Sequence, residues 1–390
     1  MIRTSKSKFL FRLAVIPVIL LGLFTLSCAQ DSIFFYISNE PEPNQPLIRG
    51  TPTNMVLANN EVFVGNRMGN TVFRYSRVGE VTRWSSLQIP GGSLGDIATC
   101  GTYLYTLIFP GGDPMRSSVI RRFDPVTNIW HEPMIMELYS IQTIFGVDGR
   151  IFAGAMHTAD HRNFSILLLD YDANNLSALK SNTFLLTGAT VDSEGNIYLA
   201  TAGDGILRYS DGVIEANSET GTEDGNIAGI IGVGDSVVAV SSEGTVFYRT
   251  LPGIFETFEA RVHFTGAMSL WLDRANGWRP SLLLMGIRGR GTSLNQGYRE
   301  MVLDVSGNPT LTIRFPGDDS PSSVASRARY VASIGQHPVE AILQIPDISR
   351  GGPLDYSAFV SDPDWAPPIF AATSRSGLWS YRNGVWNAEE

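Results

Sequence analysis

Three polar stretches hold the side chains best suited to gripping a ligand. Pro110 to Ser117 contains Asp113 and Arg116; Met156 to Phe164 contains His157, Asp160, His161, Arg162 and Asn163; Arg288 to Gly297 contains Arg288, Arg290, Asn295 and Gln296. A guanidinium offers a planar fork of N–H donors that matches a carboxylate in two parallel hydrogen bonds. Gathered at one mouth, these arginines suit carboxylates, acidic glycans or an acidic partner segment; the plain alternative is solvated turns facing unrelated directions. His157, Asp160 and His161 have metal-ligand chemistry, but a loop does not align them as a helix would. No distant third histidine completes a set, so no metal site is assigned. There is no His-Glu-x-x-His motif, no Gly-x-Ser-x-Gly elbow and no phosphate-binding loop, so no catalytic residue and no cofactor is assigned.

The segments between these stretches alternate apolar and polar residues with period two, which marks strands. Asp192-Ser193-Glu194-Gly195-Asn196-Ile197-Tyr198-Leu199-Ala200-Thr201 runs into Gly203-Asp204-Gly205-Ile206-Leu207-Arg208-Tyr209. The same strand-turn-strand pattern returns at Asn60 to Tyr75, Asp235 to Arg249 and Pro368 to Trp386, and more loosely at Thr102 to Trp130 and Gly149 to Tyr171. A unit of roughly 40 to 50 residues suits a four-stranded propeller blade. The copies give units near 53–90, 93–135, 139–182, 185–222, 226–262, 265–316 and 324–390. The expected fold is therefore all-β, a β-propeller of about seven four-stranded blades, with six to eight allowed. The last unit is overlong, through either an insertion within His337 to Pro367 or an eighth, degenerate blade. Ser32 to Ile37 is a further strand-like stretch that is expected to pair with the last blade and close the ring.

The copy at Asp192 to Tyr209 resembles the repeats of NHL-type and two-component-regulator propellers. Phe123-Asp124-Pro125-Val126-Thr127-Asn128-Ile129-Trp130 resembles the ending of kelch units. The resemblance implies that turns between second and third strands, with the links between blades, ring one face of a central channel. Loops longer than the turn requires are where function is expected.

Arg3, Lys6, Lys8 and Arg12 precede the apolar run Leu13 to Leu26, which reads as a targeting segment. Leu26-Ser27-Cys28 resembles a bacterial lipobox with threonine at 25, which implies lipidation of Cys28; Ser27-Cys28-Ala29 alternatively fits a cleavage that releases a soluble periplasmic or secreted chain. The division expected is a lipoprotein signal peptide (1–27), a tether carrying the ring-closing strand (28–50) and the propeller (51–390). Cys100 is the one other cysteine, so no intramolecular disulfide is expected in the mature protein. The formal charge is −9, and losing the four positive charges ahead of Cys28 takes it to −13, which disfavours nucleic acid as a partner.

These readings favour a noncatalytic, monomeric, lipid-anchored propeller in the bacterial cell envelope, periplasmic or at the outer membrane, that binds a protein or peptide as scaffold or adaptor. An enzyme or solute-binding protein acting on an anionic saccharide or organic acid is the alternative, and an extracytoplasmic sensor module is a third reading.

Overall fold

The computed structural model describes Ile48 and residues 52–67, 69–78, 81–115, 117–223, 225–251, 253–260, 263–273, 279–288, 297–304, 312–314, 338–344, 369–374, 377–382 and 385–389. These residues form seven antiparallel sheets, each of consecutive strands: blade 1 (52–88), blade 2 (93–136), blade 3 (139–183), blade 4 (186–218), blade 5 (227–259), blade 6 (263–314) and blade 7 (339–388). Six sheets have four strands. In blade 2 the outer edge is divided between Ile129–Trp130 and Met134–Met136, both paired to Ser118–Asp124. The first strands of successive blades lie side by side around the ring, ending with Val339–Gln344 against Pro52–Ala58. The fold is a seven-bladed β-propeller, matching the expected blade count. Cys28 and Ser32 to Ile37 lie outside the described residues. So does 345–368, where the excess length of the last unit falls, between two strands of blade 7 that pair directly.

The sequence pattern follows from where each strand sits. Second strands are covered on both faces by neighbouring blades, so they are buried almost end to end: Tyr103–Phe109, Ile197–Thr201, Ser236–Ser241 and Ile369–Thr373 are examples. Outer strands such as Asn175–Thr183 reach solvent and carry polar residues. Short turns join the strands where the chain tolerates left-handed backbone, as at Asn59-Asn60, Asp148-Gly149 and Asp211-Gly212, whose paired positive φ angles fit the twist of tight hairpins.

A β-bulge interrupts the pairing near the start of every first strand, between Pro52 and Met55, Leu94 and Asp96, Ile141 and Thr143, Leu186 and Gly188, Ile227 and Gly229, Phe264 and Met268, and Val339 and Ala341. A bulge re-aims side chains. Here polar ones reach the next blade: Asn54 Nδ2 donates to Ile97 O (3.3 Å), Ile144 N to Asp96 Oδ2 (3.2 Å), Thr143 Oγ1 to Leu186 O (2.7 Å), Thr187 Oγ1 to Ile227 O (2.7 Å) and Thr265 Oγ1 to Val339 O (2.6 Å). Between blades 5 and 6 backbone meets backbone instead. A Cβ on Gly229 would lie 2.2 Å from Gly266 O, and Gly266 itself has φ +94°, so both positions need glycine. The joint between blades 7 and 1 is aromatic: Phe370 meets the rings of Tyr75 and Trp84, each at 5.2 Å, and Trp84 Nε1 donates to Glu389 Oε2 at 2.6 Å.

Thr187→Val keeps the shape of one latch and removes its donor. It is expected to lower stability by about 1 kcal/mol, the net worth of a single neutral hydrogen bond. An unchanged urea midpoint would show that this latch does not hold the blades.

Candidate functional site

The channel encloses about 350 Å³ and takes wall residues from all seven blades. Because each blade runs first strand inward and alternates direction, the starts of the first strands, the second-to-third-strand turns and the interblade links share one face. The bulges therefore sit at the mouth on that face. The charged residues of the channel wall are Glu340 in blade 7, Arg67 in blade 1 and Asp96 in blade 2, and Arg288 of blade 6 reaches Glu340. Arg288 Nη2 lies 3.4 Å from Glu340 Oε1. Arg67, exposed at the end of Glu61–Asn66, donates through Nε (3.0 Å) and Nη2 (2.8 Å) to Gly95 O. Blades 3 to 5 complete the wall with uncharged residues, among them Thr143, Phe145, Thr187, Gly229 and Ile230.

Asp96 is 7% exposed and accepts from Ile97 N (2.9 Å) and Ile144 N. Burial dominates: it pushes the carboxyl up to about 6, against the opposing pull of the two amides and Arg67. A raised folded-state value means the native state holds the proton more tightly than the unfolded chain does. The stability this contributes is full below pH 3.8, the ordinary value, and is lost as pH rises through about 6. Above that pH the buried charge costs on the order of 3 kcal/mol. Stability measured at pH 4 and pH 7 is expected to fall more for the native protein than for Asp96→Asn. Parallel pH dependences would contradict the burial argument.

Of the residues singled out in the sequence, Arg288 is at the mouth. Asp113 lies on the same face, where its Oδ1 caps Met115 N at 2.9 Å. Arg116, Arg290, Asn295 and Gln296 lie outside the described residues. The stretch Met156 to Phe164, read as a loop, is a hairpin: Arg150–His157 and Asp160–Asp170 are strands joined by the turn Thr158-Ala159. Met156 pairs with Phe164 and His157 with Asp160, so His161, Arg162 and Asn163 form a bulge on one strand. Polar composition misled here because it does not by itself separate a loop from a pair of strands. His157 packs its ring on Tyr139 (5.6 Å), and its Nδ1 accepts from Ala159 N at 3.2 Å. Among the described residues no three His, Cys, Asp or Glu side chains converge as a metal site.

Sequence reasoning missed Arg67, Asp96 and Glu340. Asp96 and Glu340 stand alone in apolar first strands, and period-two alternation assigns such residues to solvent; in this ring the solvent is the channel. The motif residues have structural roles. Asp124 Oδ1 accepts from Val126 N and Oδ2 from Thr127 Oγ1, both at 2.8 Å, and these bonds hold its carboxyl below the usual range. Trp130 packs on Phe123 at 5.0 Å and Trp386 on Tyr298 at 5.6 Å. Cys100 is half-buried at the end of a first strand, and burial raises its thiol.

No protein-family model and no curated protein matches the chain. Solved structures do match in fold. The WD40 β-propeller domain of Doa1 aligns at 13% identity over 87% of this chain and 96% of its own, with a TM-score of 0.53. A chain of the mitotic checkpoint complex aligns at 11% identity over 88% and 96%, with a TM-score of 0.56. The β-propeller domain of Cps50 (Swd1) from Myceliophteria thermophila aligns at 9% identity over 88% and 99%, with a TM-score of 0.53. Topology and these likenesses agree that the chain is a seven-bladed β-propeller.

Proposed function

We propose that this propeller is a noncatalytic binding platform of the bacterial cell envelope, anchored by lipid on Cys28, that takes a protein or peptide partner on the mouth face. The observation that carries the reading is the mouth itself, a concave surface assembled from all seven blades on a frame already latched by hydrogen bonds. A preformed surface avoids the ordering cost of binding. One neighbour in fold belongs to a multiprotein assembly, the mitotic checkpoint complex. The lipid anchor is supported by Leu26-Ser27-Cys28 after a basic, apolar leader.

Crosslinked pull-down from detergent-solubilised envelopes is expected to recover a specific partner, and mass spectrometry of the mature N-terminus is expected to find acylated Cys28. Repeated recovery of nothing specific would overturn the platform, and an N-terminus at Gln30 would remove the anchor. A second reading, an anionic saccharide or organic acid held at the mouth, has its own observation in Arg67 and Arg288. It requires that Arg67→Ala with Arg288→Ala abolish a ligand-induced thermal shift in a glycan and organic-acid panel.

A further inference from the structure

The guanidinium of Arg67 is held along one side and open along another. Arg67 follows Glu61–Asn66, the second strand of blade 1, and lines the channel as an exposed residue. Its Nε and Nη2 both donate to Gly95 O, at 3.0 and 2.8 Å. A guanidinium carries five N–H donors, so three remain; the two parallel ones at its end, on Nη1 and Nη2, form the fork that matches a carboxylate. Among the described residues nothing accepts from that fork and no carboxylate lies within ion-pair distance of Arg67. The acceptor is fixed in turn, because a Cβ on Gly95 would come within 2.7 Å of the Phe109 ring. The plane of the guanidinium is therefore set before any ligand arrives, which lowers the ordering cost of binding.

The other charges of the wall are already engaged. Glu340 meets Arg288 Nη2 at 3.4 Å, and the two Asp96 oxygens accept from Ile97 N and Ile144 N. Across the ring from blade 1, blades 4 and 5 present Ala189, Gly229 and Ile230, and Thr187 commits its hydroxyl to Ile227 O. A cavity of about 350 Å³ with an oriented cation on one side and an apolar wall on the other has the size and make-up of a small-ligand site. It fits a molecule with one anionic end and an apolar body.

We infer that the channel binds a carboxylate carried on a small apolar body, with the end fork of Arg67 as its anchor. This rests on the second reading, an organic acid held at the mouth, and adds the ligand class and the anchoring residue. The same chemistry is offered by a free acid and by the C-terminal carboxylate of a peptide with an apolar last residue.

The test is isothermal titration calorimetry on the full chain at pH 7. The probes are 4-methylpentanoate and its primary amide, and a Gly-Gly-Leu peptide ending in a free carboxylate or an amide. A carboxylate is expected to bind with a Kd about tenfold or more below that of its amide, and the tighter of the two carboxylates tells whether a free acid or a chain end supplies the group. Acetate, which lacks the apolar body, is expected to bind about tenfold or more weaker than 4-methylpentanoate. Arg67→Gln is expected to raise Kd about tenfold or more, a loss of about 1.4 kcal/mol. Asp96→Asn removes a negative charge that interacts with Arg67, so it is expected to tighten carboxylate binding severalfold, an outcome that misfolding cannot produce. Equal binding of acid and amide, or an unchanged Kd in Arg67→Gln, would overturn the inference. Binding lost in Arg288→Ala but kept in Arg67→Gln would overturn the anchor and leave the organic-acid reading standing. No carboxylate binding by the native protein would overturn the ligand class, and silence across the whole glycan and organic-acid panel would end the reading beneath it.

Discussion

Arg249→Met is expected to destabilise the protein by about 3–5 kcal/mol, the cost of leaving a buried charge without its partner. Arg249 is 7% exposed and Asp192 5%, and their side chains meet at 3.0 Å across the joint between blades 5 and 4. The guanidinium also donates to Tyr198 Oη and Asp235 O, and it lies 5.1 Å from the centre of the Tyr198 ring. Methionine fills much of the same space, so the effect isolates the loss of charge and donors. Asp192 would keep its bonds from Glu194 N (3.0 Å) and Asn196 N (2.9 Å) but not its counter-ion. Urea unfolding should show a lower midpoint at unchanged slope. Adding Asp192→Asn to Arg249→Met should recover part of the loss, because the remaining group is then neutral. A loss below about 1 kcal/mol for the single substitution would mean that the pair behaves as an exposed one.

Phe370→Ala should cost a similar amount, about 3–5 kcal/mol, by opening a cavity in the joint that closes the ring. Phe370 is fully buried in the second strand of blade 7 and packs against Tyr75 and Trp84 of blade 1. Val62, Val64, Ala372 and Leu378 complete that cluster, and Ile48 joins it through Leu378 N to Ile48 O at 3.1 Å. Blades 1 and 7 are distant in sequence, so this joint cannot rely on a short link as those between blades 1 and 6 do. Its failure exposes two sheet faces and the edges beside them. Light scattering alongside thermal unfolding should therefore show association of the Phe370→Ala variant. Phe370→Leu should lose less and remain monodisperse. Equal behaviour of the two variants would argue against a closure that depends on packing here.

The blades were legible in the sequence because buried second strands are apolar throughout and tight turns carry Asn, Asp and Gly; Ile197–Thr201 after Gly195 is an example. What joins the blades was not legible. Thr143, Thr187 and Thr265 look like ordinary strand threonines until bulges aim their hydroxyls at the first strand of the next blade. Arg249 and Asp192 are 57 residues apart, beyond the reach of local pattern. The site was legible in part. Loop length pointed to Arg288 and Asp113, which lie on the mouth face, whereas Asp96 and Glu340 escaped because alternation marks such a residue as facing away from the core without saying that it faces the channel.

Photo-crosslinking residues placed singly on the mouth face, at Arg288 and at Leu138 in the link from blade 2 to 3, and on the other face, at Val213 and Ile254, distinguish in intact cells which face of the propeller meets a protein partner. A discrete adduct is expected from Arg288 or Leu138 and none from Val213 or Ile254. Adducts confined to Val213 and Ile254, or absent from all four positions, would show that the mouth is not a partner-binding face.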